Sequence, residues 1–499
     1  MHTTTKTFKK LQQTKRDIFV KRSTLFTATV ALGLVFAILL LIRTGIFEPK
    51  EGPIAVGPSP LAAEDTWMGI FQNGEKIGYT HKTIGPIAEG YDVSEFTYMK
   101  INMMGMVQEI HVTTGGRLNP DFALQSFNFS MKSNLFKFIT YGSVKEGKLI
   151  LFVNGKRQDI PIDGDIHLNI GLVNAAWKGG LPLGKAKTFH IFDPSTMTNR
   201  PITLTAEKEE TMEVMDQAIQ VTRIAVDFMD TRQVTWVDEK GEVVKEEGMM
   251  GISLVKSTKN EAMADILGAP TADLTKNVAI EPDGKIDNPH SRKRLRLRLA
   301  NVPKHLSLQG GRQTFNDNIL TIVKETVPVA VGRPAPTAEL LPYLQPAPFV
   351  QSDHPDIRKI AHDIEKTSHS AFGTLSALLT WMNEHIDKRP VVSIPDALET
   401  LKNKVGDCNE HAVLFAALAR AAGIPTRIES GVVYMDGKFY YHAWNGVYLD
   451  GKWITVDSAL NQFPADVTHI RLVTGGIEKQ VDLLSVIGKL TISLLEAHP

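Results

Sequence analysis

Cys408 is the only cysteine in 499 residues and stands in the run Gly406-Asp407-Cys408-Asn409-Glu410-His411. A thiol used once is either a small buried hydrophobe or a nucleophile. Its neighbours open a helix. Asp407 can take the free backbone N–H groups as N-cap, and Glu410 three residues later completes a D-x-x-E capping box. The apolar run 412–418 follows, and Gly423 and Pro425 then stop the helix. Unpaired N–H groups and the helix dipole favour a thiolate in this first turn, whereas the two capping carboxylates oppose it. A nucleophile here needs a base.

Downstream, Tyr441-His442-Ala443-Trp444 and Trp453-Ile454-Thr455-Val456-Asp457 flank Asp450-Gly451, a favoured two-residue type I′ turn. A hairpin closed there sets Trp444 opposite Asp457 and His442 opposite Ala459. His442 and Asp457 then share a face as diagonal neighbours, with Cα atoms about 7–8 Å apart, within reach of an imidazole and a carboxylate. Order, spacing and face together point to a Cys-His-Asp arrangement for acyl transfer.

A cysteine at a helix start, a histidine in Tyr-His-Ala-Trp on one strand and an aspartate ending the next resembles the transglutaminase-like superfamily, whose fold is related to that of papain-type cysteine proteases. The resemblance covers roughly the last 150 residues. It implies Cys408 as nucleophile, His442 as general base and acid, and Asp457 as orienter of the imidazole. Ser458 stands where many relatives carry proline. The activity implied is amide or peptide hydrolysis through an acyl-thioester. A crosslinking transglutaminase is the alternative, and an inactive binding scaffold is the second.

Elsewhere the chain reads as an α+β protein with an N-terminal transmembrane helix, an antiparallel β region and a C-terminal transglutaminase-like α+β domain. Lys and Arg number 55 against 55 acidic residues, so no overall field draws it to nucleic acid. Residues 1–22 form a basic tail with seven Lys or Arg against Asp17, and residues 23–42 an apolar anchor close to the ~20 residues a span needs. Residues 43–64 are a Pro/Gly spacer. Turn signals such as Asn73-Gly74, Gly115-Gly116 and Asn154-Gly155 mark 65–260 as β-rich, and 261–327 as a further β module. There Arg292-Lys293-Arg294-Leu295-Arg296-Leu297-Arg298-Leu299 gives one strand a basic and an apolar face, suited to an edge. A Pro-rich linker, 328–348, leads into the catalytic domain, 349–499, with helical patterns at Ile357–Lys366 and Phe372–Ile386. His354, His362, His369, His385, His411 and His469 have no zinc-ligand spacing, and no EF-hand or phosphate loop occurs, so no metal or cofactor is expected.

The basic tail before the apolar run directs the N-terminus to the cytoplasm, and Arg43-Thr44-Gly45 offers no signal-peptidase site. The expectation is a single-pass inner-membrane protein, its bulk periplasmic, acting on an envelope protein or peptide. A C-terminal alkaline phosphatase fusion should therefore be active. An inactive fusion, or a mature N-terminus beyond residue 43, would contradict that topology.

Overall fold

A computed structural model describes residues 63–498 except 104, 265, 267–272, 274–277, 329–336 and 369. The basic tail, the membrane anchor, most of the spacer and part of the Pro-rich linker lie outside the described residues. Among those described, no helix is long and apolar enough to cross a membrane.

Residues 64–257 build one antiparallel sheet of fourteen strands. Eight run in sequence from Glu64–Gln72 to Lys156–Pro161, helix α1 (Asn169–Lys178) follows, and six more run from Ala186–Asp193 to Ile252–Ser257. The last strand returns to the first, with Trp67 opposite Ser257 and Gln72 opposite Ile252. Hairpins such as Asn73-Gly74 and Asn154-Gly155 hold both central residues at positive φ, as type I′ turns require. Gly115-Gly116, expected as a turn, instead lies inside the strand Met106–Leu118. These glycines admit a close neighbour: a Cβ on Gly116 would sit 2.4 Å from the Ser126 carbonyl.

So wide a twisted sheet curls, and α1 packs inside with Ile170, Leu172, Val173 and Ala176 buried in the sheet's core. That interior also holds charge. Lys82 Nζ lies 2.6 Å from Glu64 Oε1, and Asn174 donates to Glu64 Oε2 at 3.3 Å. Among the described residues Glu246 has no such partner of its own. Burial and the nearby Glu95 carboxylate push its carboxyl up to about 7, against the pull of Lys82.

The strand Arg294–Ala300 is not an edge. It lies between Ile319–Val323 and Thr491–His498 in a four-stranded sheet. Leu295, Leu297 and Leu299 are buried, and Arg296 pairs with Glu496. The charges stay outside because alternation puts them there.

Between those two strands the chain makes a separate unit: α2 (Pro355–Glu365), α3 (Ala371–His385), α4 (Ala397–Asn403) and α5 (Cys408–Ala421), then a sheet ordered Lys452–Val456, Lys438–Leu449, Thr426–Met435, Ile470–Thr474. α5 contributes Cys408, Ala412, Leu414, Phe415 and Leu418 to a core shared with α3 and with Ala443, Val447 and Val456 of the sheet. Phe439, Tyr441, Ile470 and Leu472 face the other way, into the core that continues through the rest of the protein.

The α+β expectation is therefore corrected. Among the described residues strands take 49% and helices 19%, so the part described is mainly β. Strands of 13 to 17 residues, such as Thr198–Val214, were legible only as short alternating runs, and their summed length outweighs the helices around Cys408.

A raised carboxyl pKa contributes stability below its unfolded value, near 4.5, that is lost as pH climbs through 7. Glu246→Gln should therefore match the parent in stability at pH 5 and exceed it at pH 8, by on the order of 1–3 kcal/mol and with a correspondingly higher melting temperature. Thermal denaturation at both pH values checks this, and equal gaps would refute the buried-charge account.

Candidate active site

α5 begins as its residues dictate. The Asp407 carboxylate accepts from the Asn409 N–H at 3.0 Å, and Glu410 Oε2 accepts from the Asp407 N–H at 3.0 Å, completing a capping box. Ser393 donates to the other Glu410 oxygen. Gly406 is needed because a Cβ there would meet Glu410 Cβ at 2.3 Å.

Cys408 is 2% exposed. Burial first, then the Asp407 carboxylate, push its thiol well above the usual range, against a hydrogen bond from the Ala443 backbone N–H. The capping carboxylates and desolvation thus outweigh the helix dipole in the resting protein.

Ala443 follows His442 on the strand Lys438–Leu449, which pairs Asn445 with Val456 and Leu449 with Lys452 across the Asp450-Gly451 turn. The ladder stops at Val456, and Asp457 bridges to Gln462 instead. Its carboxylate still meets the histidine, with His442 Nε2 2.6 Å from Asp457 Oδ2. Both side chains are fully buried. Burial pushes the His442 imidazole below its ordinary value despite Asp457. Its Nδ1 is buried without a hydrogen-bond partner, a lone pair or proton left for chemistry. Asn445 ties the hairpin to α5 by donating to the Ala412 carbonyl at 2.9 Å.

Two residues went unassigned in the sequence. His469, set aside with the zinc candidates, places Nε2 2.9 Å from Asp457 Oδ2 and Nδ1 3.3 Å from Asp466 Oδ1. Burial alone would lower its pKa, but those two carboxylates raise it to about 9. Lys388 lies on the two-residue strand Asp387–Lys388, opposite Gly406. Burial pushes its amine down against the attraction of Asp457, Cys408 and Asp407. A lysine after a helix end and a histidine in a loop carry no periodic signal. The other five candidates scatter: His354 caps α2, His362 lies in the last turn of α2, His385 stacks on Trp381, His411 donates to the Asp407 carbonyl, and His369 lies outside the described residues.

His442, Asp457 and His469 offer ligand atoms within 4.8 Å of one another, so among the described residues this trio is where a cation could be held. Hydrogen bonds already account for the arrangement. Its chemistry is that of a thiol, an imidazole with one bare nitrogen, and a carboxylate fixing the other.

Residues 358–458 match the transglutaminase-like superfamily. The mouse (Mus musculus) Kyphoscoliosis peptidase is 28% identical over 129 residues, 22% of this chain and 19% of that protein, and the human (Homo sapiens) one is 28% identical over 117 residues, 20% and 17%. The chain spans about a fifth of the length of these curated relatives. Among solved structures, the periplasmic domain of TgpA from Pseudomonas aeruginosa is similar at 15% identity and a TM-score of 0.24, over 37% of this chain and 75% of that one.

Gly406→Ala should drive Glu410 off the Asp407 N–H and lower stability by roughly 1–3 kcal/mol. Calorimetry checks this. An unchanged melting temperature would mean that the helix start tolerates the methyl group and that the cap is not what fixes it.

Proposed function

From the premise that the chain carries a transglutaminase-like domain, we propose that the protein is a cysteine hydrolase that cleaves amide bonds, with Cys408, His442 and Asp457 as its triad. The observation that carries this reading is the 2.6 Å His442–Asp457 contact, together with a lone cysteine at a helix start whose sulfur takes the Ala443 N–H. His442 Nδ1 removes the thiol proton as Sγ bonds to the carbonyl carbon. The resulting imidazolium gives that proton to the departing amine as the C–N bond breaks. Water, deprotonated by the same imidazole, then cleaves the thioester and restores the thiol. The Cys408 backbone N–H, in the first turn of the helix, supports the oxyanion.

The basic tail and apolar run of residues 1–42 support attachment to the inner membrane, with the enzyme facing periplasmic proteins or peptides. An amine in place of water would make the same thioester a crosslinking intermediate. One observation favours a non-catalytic scaffold instead: a Cys408 that is almost wholly buried, with its thiol held neutral.

Mass spectrometry of envelope proteins and muropeptides from cells with and without Cys408→Ala should show uncleaved substrates accumulating in the variant. New isopeptide links in the parent alone would turn the assignment to transamidation, and identical profiles would favour the scaffold. Asp457→Asn should reduce turnover by orders of magnitude, since a carboxylate both fixes the imidazole tautomer and supports its charge. A fully active Asp457→Asn variant would defeat the triad.

A further inference from the structure

Asp457 is held from two sides. Its Oδ2 takes His442 at 2.6 Å and His469 at 2.9 Å, while its Oδ1 accepts from the Ala459 and Leu460 N–H groups, both at 2.8 Å. His469 is itself between two carboxylates, with Nδ1 facing Asp466 Oδ1. Asp466 is fixed by Thr468, which donates to it from N–H at 2.9 Å and from its hydroxyl at 2.6 Å, and by His290 Nδ1 at 2.7 Å on Oδ2. A neutral imidazole has one N–H, so it can satisfy one carboxylate but turns a lone pair on the other. Both contacts are met only when both nitrogens carry protons.

We infer that His469 is a standing imidazolium clamped between Asp457 and Asp466, and that it positions Asp457 and keeps His442 neutral, with its proton on Nε2 and its Nδ1 bare. The role rests on the triad reading above. It goes beyond that reading by adding a fixed cation to the site.

Asp457, with four donors around it, has to be ionised, so the proton in the His442 contact belongs to Nε2. The carboxylate's charge is then divided between two rings. His469 lies 5.9 Å from His442, ring centre to ring centre, and opposes a second positive charge there. The other groups around His469 do not reverse the sign. Trp444 meets it edge-on at 5.2 Å, and Arg312, paired with Glu325, donates to its backbone carbonyl at 3.0 Å. His290 reaches it only through Asp466, and Lys388 adds a further positive charge on the Asp457 side. The upward shift of His469 and the downward shift of His442 agree with this division.

Nitrogen-15 NMR of the full chain labelled at histidine tests it, with the His469 signals identified by their loss in His469→Gln. The parent should show two imidazolium-type N–H groups on His469, unchanged from pH 6 to 8. His469→Gln keeps hydrogen-bonding capacity without charge, and it should raise the His442 midpoint by about one pH unit, a tenfold change in its protonation equilibrium. A single N–H on His469, or titration in the ordinary range near 6.5, overturns the clamp. An unmoved His442 midpoint reduces His469 to packing and overturns the positioning role. Should the Gln variant fail to fold, single-site labelling of His469 in the parent still reads its protonation. These signals do not require turnover, so they hold or fail separately from the envelope experiment.

Discussion

Burying an ionised carboxylate is costly unless its oxygens are filled by donors, and Asp457 sets that condition for the whole functional end of the protein. The donors come from a strand, a loop and the loop's far end: His442, Ala459 with Leu460, and His469. The thirteen-residue return between Lys452–Val456 and Ile470–Thr474 is shaped to deliver them. Its backbone bridges Asp457 to Gln462, Gln462 accepts from the Asp466 N–H at 2.8 Å, and Asp466 holds His469. Removing any of these would leave charge without partners, a larger loss than the missing contact itself.

What could be read in the sequence follows from which contacts are local. Asp450 and Gly451, both at positive φ, fix a two-residue turn, and the turn fixes the register from Leu449–Lys452 to Asn445–Val456, one residue short of Asp457, which reaches His442 from beyond the ladder. The capping box announces the start of α5 for the same reason, since Asp407 and Glu410 act within one turn. His469 had no such signature. It comes to Asp457 through an irregular loop, where neither a period of two nor one of 3.6 applies. The place of Arg294–Ala300 was also hidden, because one neighbour, Thr491–His498, lies almost 200 positions away. The balance of strand over helix is also faint in the sequence, because the helices around Cys408 have strong periodic patterns and the long strands alternate only modestly.

The large sheet is more than an appendage. Asn154 donates to Asp396, the N-cap of α4, at 2.5 Å, and Lys156 pairs with Asp353 just before α2 at 2.7 Å. Phe138 and Phe349 meet with ring centres 5.8 Å apart. Helices that pack on α5 are thereby braced from outside their own unit. The hairpin around Asn154-Gly155 is thereby linked to the surroundings of Cys408 through α4.

The strand Thr491–His498 pairs with Arg294–Ala300, so the segment holding Cys408 leaves one small sheet after Val323 and comes back to it at Thr491. Mechanically this is a loop with both ends anchored on one base plate. A unit on a single tether can swivel freely about it. One anchored twice can rotate only by twisting two chain crossings together, and its permitted motion narrows to a rocking about the line joining them. Admission of substrate to a buried thiol would then come from displacement of nearby loops and side chains, with the unit as a whole remaining seated.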